Sequence, residues 1–533
     1  MMVKGGGNLF GRKGLVRPLL LAGIMLCLFS CMKPQPALET NYIGPVRQET
    51  PGETAREESI QPVQTETGPM QVTVRDAILM TLENNRSLAV EKMNPEIRRA
   101  EEEIERALFD PVIGTVYSRY REKRDAAILT TNEKLTNEVD AGIGVSAYLP
   151  TGTGVEVGFS TEESWSDLYS DDLHASRLGV SVTQALLQGG GLGYNLAALR
   201  QARLQTRATE YELRGFAEAL VADIEETYWD YALTQRQIAI YCESLNLAEK
   251  QKSETEEMIR IGSLAESELV AAEAEIALRR EGLINARSTL EKTRLRLLRL
   301  LNPPGENPWR RDVVLLDQPV VPDARLDDVE AHVAVALRMR PDLNESRVQE
   351  KQGDLEVVKT KNGLLPKMDF FISLGKTGYA ESFGSSVGNI DGDSYDITAG
   401  VTLAYPIINR DERARHRRSL ITAQQRRESV KNLAQLVQVD VRSAYIEVMR
   451  AKEQLSATEA TRKLQEEKVR VETEKFHVGK STTLLVAQAH RDLLESRISE
   501  TRAVANYLKA LVELYRLEGS LLERRGIVSP GAM

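Results

Sequence analysis

The sequence predicts an α+β membrane protein in which a barrel of long α-helices joins a transmembrane β-barrel assembled from several chains. Three observations predict this class. The body shows an internal duplication, with a helix, a β-rich segment and a longer helical hairpin in each copy. Each copy holds a long run of helical periodicity without proline, at 195–260 and 411–477. The β-rich segments hold 13 of the 28 aromatic residues and alternate apolar with polar side chains.

Composition excludes several classes of function. The 533 residues contain Lys+Arg 69 and Asp+Glu 78, a net charge of −9. Four of the basic residues precede the first apolar run, which leaves −13 for the rest. A phosphate-binding surface needs a basic face, so no nucleic acid partner is expected. Two of the three cysteines lie in the first 31 residues and the third is Cys242, which excludes a disulfide framework or zinc site in the body.

The first 30 residues are predicted to be a lipoprotein signal peptide. Basic residues lead into an apolar run at 19–30, which is too short to span a bilayer. The run ends in Leu28-Phe29-Ser30-Cys31, which resembles a bacterial lipobox and implies cleavage before Cys31 and lipid attachment to it. The next residue, Met32, favours the outer membrane in that pattern. The alternative is an ordinary secretory signal with an incidental cysteine.

The body consists of one unit present twice. Matching residues recur at an offset of 217, among them Asp223 and Asp440, Tyr228 and Tyr445, Gly262 and Gly479, and Leu297 and Leu514. A period above 200 residues indicates duplication of a half-domain rather than a solenoid repeat. The predicted organisation is a signal peptide (1–30), a flexible tether rich in Pro, Glu, Gln and Thr (31–71), a first repeat (72–302), a connector (303–325), a second repeat (326–519) and a C-terminal tail (520–533).

Each repeat is predicted to pair one long helix with two shorter ones. The repeats begin with amphipathic helices at 73–107 and 327–362, and the long helices turn back into helices at 264–301 and 480–518. At 1.5 Å per residue each long helix measures roughly 100 Å, nearly the sum of its two partners. We therefore expect the partners to stack end to end beside it. The apolar spacing gives a narrow seam like that of a coiled coil, so the wall is expected to close with neighbouring chains.

The β segments lie at 109–188 and 364–408. Alternation with aromatic residues at the ends of the runs is typical of a membrane barrel with aromatic girdles. The alternative is a small soluble sandwich that caps the helices. A sheet in lipid must close on itself, since unpaired edges are not tolerated there. Two hairpins per chain give four strands, fewer than the smallest barrels need, so several chains are expected to contribute.

Residues 72–519 resemble the TolC-like outer-membrane efflux factors. Four motifs carry the resemblance: VTQALLQGGG at 182–191, LAYPIIN at 403–409, Arg260-Ile261-Gly262-Ser263 and His477-Val478-Gly479-Lys480. The resemblance implies a homotrimer with one shared twelve-stranded barrel in the outer-membrane lipid and a helical tunnel across the periplasm. It also implies passive export of drugs, other small molecules or proteins, driven by an inner-membrane transporter through a periplasmic adaptor (membrane fusion) protein.

The resemblance also implies roles for particular residues. The two helical turns would dock the adaptor, through Arg260, Ile261, Gly262, Ser263, Val478, Gly479, Lys480 and Ser481. The family places acidic gate residues on the helix after the second turn, where this chain has Leu485 and Gln488. The corresponding position after the first turn is Glu268. We expect an apolar constriction at Leu485, with any cation preference resting on Glu268. The alternative is that Leu485 is a seam residue that packs on its neighbouring helix.

The strand-to-helix hinges are predicted at Gly189-Gly190-Gly191 and at Pro406. The family often has proline in the first of these motifs, where this chain has Ala185. The first β segment has 80 residues against 45 in the second, and Leu149–Gly154 is typical of an extra hairpin turn. The number of strands per chain is therefore open between four and six.

No pattern predicts an enzyme, a cofactor or a metal site. The glycine run lacks the Lys-Ser/Thr of a phosphate loop, and acid pairs such as Glu225-Glu226 are predicted to be solvated helix charges. Two functions stay open. One is the outer-membrane exit duct of a tripartite efflux or type I secretion system, lipid-anchored and extending into the periplasm. The other is a structural lipoprotein whose helices bridge the periplasm as a tether and form no channel. The duplicated turns and the β segments favour the duct, because a tether needs neither.

Overall fold

The computed structural model describes residues 68–123, 135–166, 173–305, 307–321 and 326–527. All of the described residues belong to one compact unit. The predicted signal peptide, Cys31 and nearly all of the predicted tether lie outside the described residues. Among the residues described, no helix is both long enough and apolar enough to cross a bilayer.

The first repeat contains one long helix, of 64 residues, and several shorter ones. Its helices are α1 (Val74–Asn84), α2 (Arg86–Glu91), α3 (Met93–Arg106), α4 (Leu192–Asn195), α5 (Ala197–Arg260) and α6 (Ser267–Leu301). The amphipathic helix predicted at 73–107 is broken after α1. Asn85 is extended there, and its side-chain oxygen accepts from the Ser87 and Leu88 N–H groups to cap α2.

The second repeat has the same order, with a long helix of 68 residues. Its helices are α7 (Val329–Met339), α8 (Pro341–Gly363), α9 (Phe383–Gly388), α10 (Arg410–His477), α11 (Thr483–Glu518) and α12 (Leu521–Arg524). The helix predicted at 327–362 is also two helices. Pro341 forces Arg340 out of the helical region, to ψ 123°, and α8 then begins at the proline.

One antiparallel sheet of six strands joins the two repeats, in the order β2-β3-β4-β5-β7-β8. A separate parallel pair is formed by β1 and β6. The strands are β1 (Met70–Val72), β2 (Val112–Lys123), β3 (Leu135–Leu149), β4 (Thr153–Ser166), β5 (Leu173–Ala185), β6 (Val313–Leu315), β7 (Lys367–Ala380) and β8 (Tyr395–Ala404). Within the described residues, the strand number left open between four and six is six. The sheet has two strands more than the alternative of four per chain, because the first segment contains an additional hairpin, β3–β4, turning at Pro150–Gly152.

The two faces of the sheet differ in chemistry at every strand. One row of directly paired residues crosses all six strands with apolar side chains: Ile113, Val145, Val157, Val180, Leu374 and Ile397. The next row, on the opposite face, is Gly114, Gly144, Gly158, Gly179, Gly375 and Asp396. We call these the apolar face and the polar face. Most of the residues that line a hollow of about 550 Å³ belong to the polar face, so this face is the concave one.

The helices pack along the long helix of their own repeat, with α1, α3 and α6 on α5, and α7, α8 and α11 on α10. Ile224, Tyr228 and Tyr231 of α5 are buried in this packing. The Tyr228 hydroxyl donates to the Val72 carbonyl oxygen at 3.0 Å, which anchors β1 to α5. The repeats meet where α8 and α11 pack against α5.

Glu225 is not the solvated charge that the sequence suggested. It is buried on α5, and the Arg525 guanidinium donates to both of its carboxylate oxygens, at 2.6 Å and, from the second nitrogen, at 2.5 Å. A buried carboxylate is stable when it is paired in this way. The prediction was wrong because the partner lies 300 residues further along the chain.

Candidate functional site

Both long helices end in the same backbone motif, at the two turns predicted to dock an adaptor. At the first turn the Ser263 N–H donates to the Met258 carbonyl oxygen at 2.8 Å. The Gly262 N–H donates to the Ile259 carbonyl oxygen at 2.9 Å. This is a Schellman motif, and Gly262 has the positive φ that it requires, +77°. Open space surrounds the position of a Cβ on Gly262, so a side chain there meets only backbone strain, about 1–2 kcal/mol.

The second turn repeats this geometry. The Lys480 N–H donates to the Lys475 carbonyl oxygen at 2.7 Å, and Gly479 has φ +72° with open space around it. Here the Ser481 hydroxyl also donates to the Glu472 carboxylate at 2.8 Å, which ties the turn to α10. The duplicated sequence therefore produces two tips with equivalent backbones.

The two tips present apolar side chains to solvent. Ile261 and Val478, which correspond by the offset of 217, are 65% and 66% exposed. Seven of the eight predicted docking residues are exposed and Ser481 is half-buried. Apolar side chains grouped at an exposed tip are typical of an interaction surface.

The two hairpins, α5–α6 and α10–α11, lie side by side. Arg491 of α11 pairs with Glu275 of α6, and Arg497 of α11 pairs with Glu243 of α5 at 3.0 Å. A small cavity of about 60 Å³ lies between them near the tips, lined by residues of both hairpins that include Ala248, Ala272, Phe476 and Val486. These ion pairs and this contact fix how the tips sit relative to each other.

Two titratable side chains, the buried Arg279 and the half-buried His490, lie further along the same contact. Burial lowers the pKa of the Arg279 guanidinium, although Glu275 at 3.1 Å opposes the shift. Burial also lowers the pKa of the His490 imidazole, and the nearby Arg279 and Arg497 add to the effect. His490 is therefore neutral at physiological pH.

The predicted gate residues lie at the beginning of the returning helices. Leu485 is in the first turn of α11, where its N–H faces the Thr482 hydroxyl oxygen at 3.4 Å, and its side chain is 47% exposed. The neighbouring Val486, not Leu485, is buried in the hairpin contact. Gln488 is exposed, and Glu268 is half-buried in the first turn of α6. Within one chain, Leu485 is thus only partly packed.

The first predicted hinge, Gly189–Gly191, is held by the additional hairpin. The Gly191 N–H donates to the Thr151 carbonyl oxygen at 3.0 Å, across the turn between β3 and β4. Gly152 has φ +87°, and a Cβ on it would stand 2.4 Å from the Gly189 carbonyl oxygen. The sequence did not predict this contact. The β3–β4 turn and the glycine run lie about 40 residues apart, and no local sequence pattern indicates that they meet.

Asn195 organises the same hinge. Its side-chain amide donates to the Gly189 carbonyl oxygen at 2.8 Å and to the Gly191 carbonyl oxygen at 3.1 Å. Its side-chain oxygen accepts from the Tyr148 hydroxyl at 3.0 Å. The residue therefore connects β3, the glycine run and α4. An isolated Asn after a glycine run was the only signal available in the sequence, and it is a weak one.

The second hinge is simpler. Pro406 is exposed in the short connection between β8 and α10. Asn409 at its end is buried and has φ +43°, so the chain turns into α10 through a left-handed residue. The two predicted hinges therefore differ, with one held by contacts and one exposed.

An ion pair crosses the polar face. The Arg177 guanidinium donates to both Asp396 carboxylate oxygens, at 3.1 Å from Nε and 2.6 Å from Nη2. It spans β7 directly above Gly375, where a Cβ would stand 2.5 Å from Arg177 and 2.4 Å from Asp396. Glycine is needed at this position because the bridge fills the space of a side chain.

The polar face also carries a group of carboxylates that the sequence did not reveal. Oxygen atoms of Glu138, Asp140 and Glu162 lie within 4.8 Å of one another on β3 and β4. This is the one such group among the described residues. The Ser118 hydroxyl donates to Asp140 at 2.9 Å. A surface of this charge attracts cations by Coulomb forces.

The outer membrane efflux protein family matches residues 77–303 and 333–520 of the chain. No curated protein matches it significantly. Several solved structures share its fold, and CusC, CmeC and MtrE are among them. CusC has a TM-score of 0.64 at 18% identity, covering 84% of this chain and 92% of CusC. The CmeC outer membrane channel of Campylobacter jejuni has a TM-score of 0.62 at 15% identity, covering 84% and 86%. The MtrE outer membrane channel of Neisseria gonorrhoeae, in its open state, has a TM-score of 0.61 at 16% identity, covering 84% and 89%.

Proposed function

Because the chain belongs to the outer membrane efflux protein family, we propose that it forms the outer-membrane exit duct of a tripartite efflux or type I secretion system. The observation that carries the proposal is the continuity between a two-faced sheet and the long helices. β5 leads through the glycine hinge into α5, and β8 leads through Pro406 into α10. A passage bounded by the polar face of the sheet can therefore continue between the helices.

The sheet is the part that enters the membrane. Its apolar face offers the lipid a band that includes Val157, Leu178, Leu374 and Val401, all of them exposed in the single chain. Its concave polar face lines the water-filled interior. An outward apolar band and a polar interior are what a barrel in lipid requires. Closure needs several chains, and the family supports a homotrimer.

The helices carry the duct into the periplasm. At 1.5 Å per residue, α5 and α10 each extend roughly 100 Å from the sheet. The exposed tips around Gly262 and Gly479 then lie far from the outer membrane. A periplasmic adaptor docks at these tips and couples the duct to an inner-membrane transporter. Lipid on Cys31 anchors the chain to the outer membrane, and several acyl chains on one cysteine give stable attachment.

The gate lies at the first turns of the returning helices. Leu485 of each copy points to the axis and forms an apolar constriction, and Glu268 supplies the charge beside it. The partial exposure of Leu485 in the single chain supports this proposal, because a side chain that is not packed within its own hairpin is available to meet its copies. Opening moves the helices of the second repeat outward.

Adjacent cysteines on β7 test the proposal against the tethering alternative. In a Cys242→Ser background, Ser373→Cys places a thiol on the polar face and Ile372→Cys one on the apolar face. In vesicles, a water-soluble maleimide is expected to label the first and spare the second. A tether whose sheet lies outside the lipid would be labelled at both positions, and that result would overturn the duct.

A further inference from the structure

The connection between β7 and β8 carries a short helix, α9, that lies on the outward face of the sheet. α9 packs against β7 and β5 at the end of the sheet that is farther from the long helices. It covers Gly378, which belongs to the apolar face because it lies four residues after Leu374 on the same strand. A Cβ on Gly378 would overlap with the Ser386 carbonyl oxygen of α9. Glycine at this position therefore lets the connection rest directly on the strand.

Polar contacts hold the connection in this place. The Ser386 and Ser176 hydroxyl groups share a hydrogen bond, with 2.7 Å between their oxygen atoms, and both side chains are fully buried. The Lys376 ammonium group donates to the Gly392 carbonyl oxygen at 3.1 Å. Ser176 and Lys376 both alternate with the apolar face of their strands, as Gly378 does. The connection is therefore attached to the outside of the sheet and not to the polar face.

The apolar band of the sheet ends where this connection begins. Toward this end of β5, the outward-facing side chains change from apolar to polar between Leu178 and Ser176. On β7 the change falls between Leu374 and Lys376, one row of paired residues nearer the long helices. A lysine on the lipid side of a barrel is tolerated near the interface, where its ammonium group reaches the polar head groups. In the proposed duct, α9 therefore lies where the hydrocarbon of the outer leaflet gives way to head groups.

α9 also presents two apolar side chains to its surroundings. Phe383 and Val387 are four residues apart, so they share one side of the helix, and both are exposed. Apolar side chains at such a boundary bind the region between head groups and acyl chains. These two residues adjoin the apolar face that the proposed duct places in lipid. The partner that fits them is consequently the outer leaflet of the same membrane.

We infer that the β7–β8 connection is a support that rests on the outer leaflet, with Phe383 and Val387 inserted among the lipid head groups, and is not a lid over the exit of the duct. This inference rests on the proposed function, because only the duct places the sheet in lipid. The support limits how far the sheet sinks toward the periplasm. Deeper insertion would draw Lys376 and the backbone of the connection into hydrocarbon, where unpaired polar groups are costly.

Disulfide formation tests on which side of the sheet the connection lies. In the Cys242→Ser background, Ser176→Cys is combined with Ser386→Cys, which joins β5 to α9 on the outward face. The matched control combines Ser386→Cys with Ala175→Cys, the neighbouring residue on the polar face. Mild oxidation of the membrane-inserted protein is expected to remove the free thiols of the first pair and to spare those of the second. Oxidation of the second pair instead of the first, or of neither pair, would overturn the inference.

Depth-dependent quenching tests the contact with lipid. A fluorophore is attached in turn to Phe383→Cys on α9, to Ile372→Cys on the apolar face and to Tyr379→Cys, an exposed residue of the polar face. The vesicles contain lipid that is spin-labelled either at the head group or near the end of the acyl chain. We expect the head-group label to quench the first position most, the acyl-chain label to quench the second most, and both labels to affect the third least. Quenching at 372 without quenching at 383 would overturn this inference while the duct stands, and quenching at neither would overturn the duct itself.

Discussion

The Asn195 side-chain amide donates to the Gly189 carbonyl oxygen at 2.8 Å, across the point where β5 turns toward α5. Gly152 of the β3–β4 turn packs against the same carbonyl group. Two contacts therefore fix the backbone geometry of the Gly189–Gly191 hinge. One is made by the Asn195 side chain, which follows the hinge in the sequence, and the other by the β3–β4 turn, which precedes it.

Substitution of Gly152 is expected to loosen this hinge. Gly152→Ala forces a Cβ to within 2.4 Å of a backbone oxygen at φ +87°, so the turn must move. Gly154→Ala is the matched control, because its Cβ finds only an ordinary contact at 3.9 Å. We expect a lower thermal midpoint in detergent for the first variant and an unchanged one for the second. Equal thermal midpoints for Gly152→Ala and Gly154→Ala would contradict the conclusion that the β3–β4 turn fixes the hinge.

The tips are expected to act through their apolar side chains. Ile261→Asp with Val478→Asp should weaken adaptor binding in a pull-down, because both side chains are exposed and each change leaves its Schellman motif intact. Val320→Asp, an exposed apolar position outside the turns, is the control. Bulky substitution of Gly262 or Gly479 should likewise block export while trimers persist. Loss of trimers in these variants would assign the turns a purely structural role.

The gate predicts opposite effects at two neighbouring residues. Leu485→Ser should raise single-channel conductance by removing the constriction, with little effect on the thermal midpoint. Val486→Ser should lower the midpoint instead, since Val486 is buried. An unchanged conductance in Leu485→Ser would show that Leu485 is only a seam residue.

Cation preference is expected to depend on Glu268. Glu268→Gln should shift the reversal potential in a salt gradient toward zero. The carboxylates of Glu138, Asp140 and Glu162 on the polar face are the alternative source of a cation preference. A reversal potential that is unchanged in Glu268→Gln but reduced in Asp140→Asn would show that the cation preference arises at the sheet and not at the gate.

Stability should depend on pH through Glu218 of α5. This side chain is 2% exposed, and burial raises its pKa to about 7, although Arg214 opposes the shift. Its carboxyl group is neutral at low pH, so its contribution to stability is complete below the ordinary pKa of 4.5 and is lost as the pH rises through 7. Glu218→Gln should therefore stabilise the fold at pH 8, by up to about 3 kcal/mol, and have little effect at pH 4. Arg214 keeps Glu523 as a partner, so the variant leaves no free buried charge. The measurement is the difference in thermal midpoint between Glu218→Gln and the parent at pH 4 and at pH 8. An equal difference at the two pH values would contradict the assignment of this pH dependence to Glu218.

Local patterns predicted most of the architecture. The long helices were predictable because 3.6-residue periodicity continues without proline through Ala197–Arg260 and Arg410–His477. The family prediction, made from four short motifs, is confirmed by the match over 77–303 and 333–520. Gly262 and Gly479 were recognisable as helix ends because only the C′ position favours glycine so strongly.

Contacts between distant residues could not be predicted in this way. Glu225 and Arg525 are 300 residues apart, and no local pattern links them. Arg177 and Asp396 meet only because β5 pairs with β7, a neighbour that comes from the other repeat. The count of six strands was ambiguous because alternation alone does not say where one strand ends, and the decisive turn at Pro150–Gly152 is short.

Single-channel recording from the purified, trimeric protein in a planar bilayer tests the central claim most directly. The account predicts discrete conductance steps that rise in Leu485→Ser, because three chains enclose one water-filled passage through sheet and helices. Intact trimers that insert into the bilayer and conduct no ions, in the parent and in Leu485→Ser alike, would contradict it.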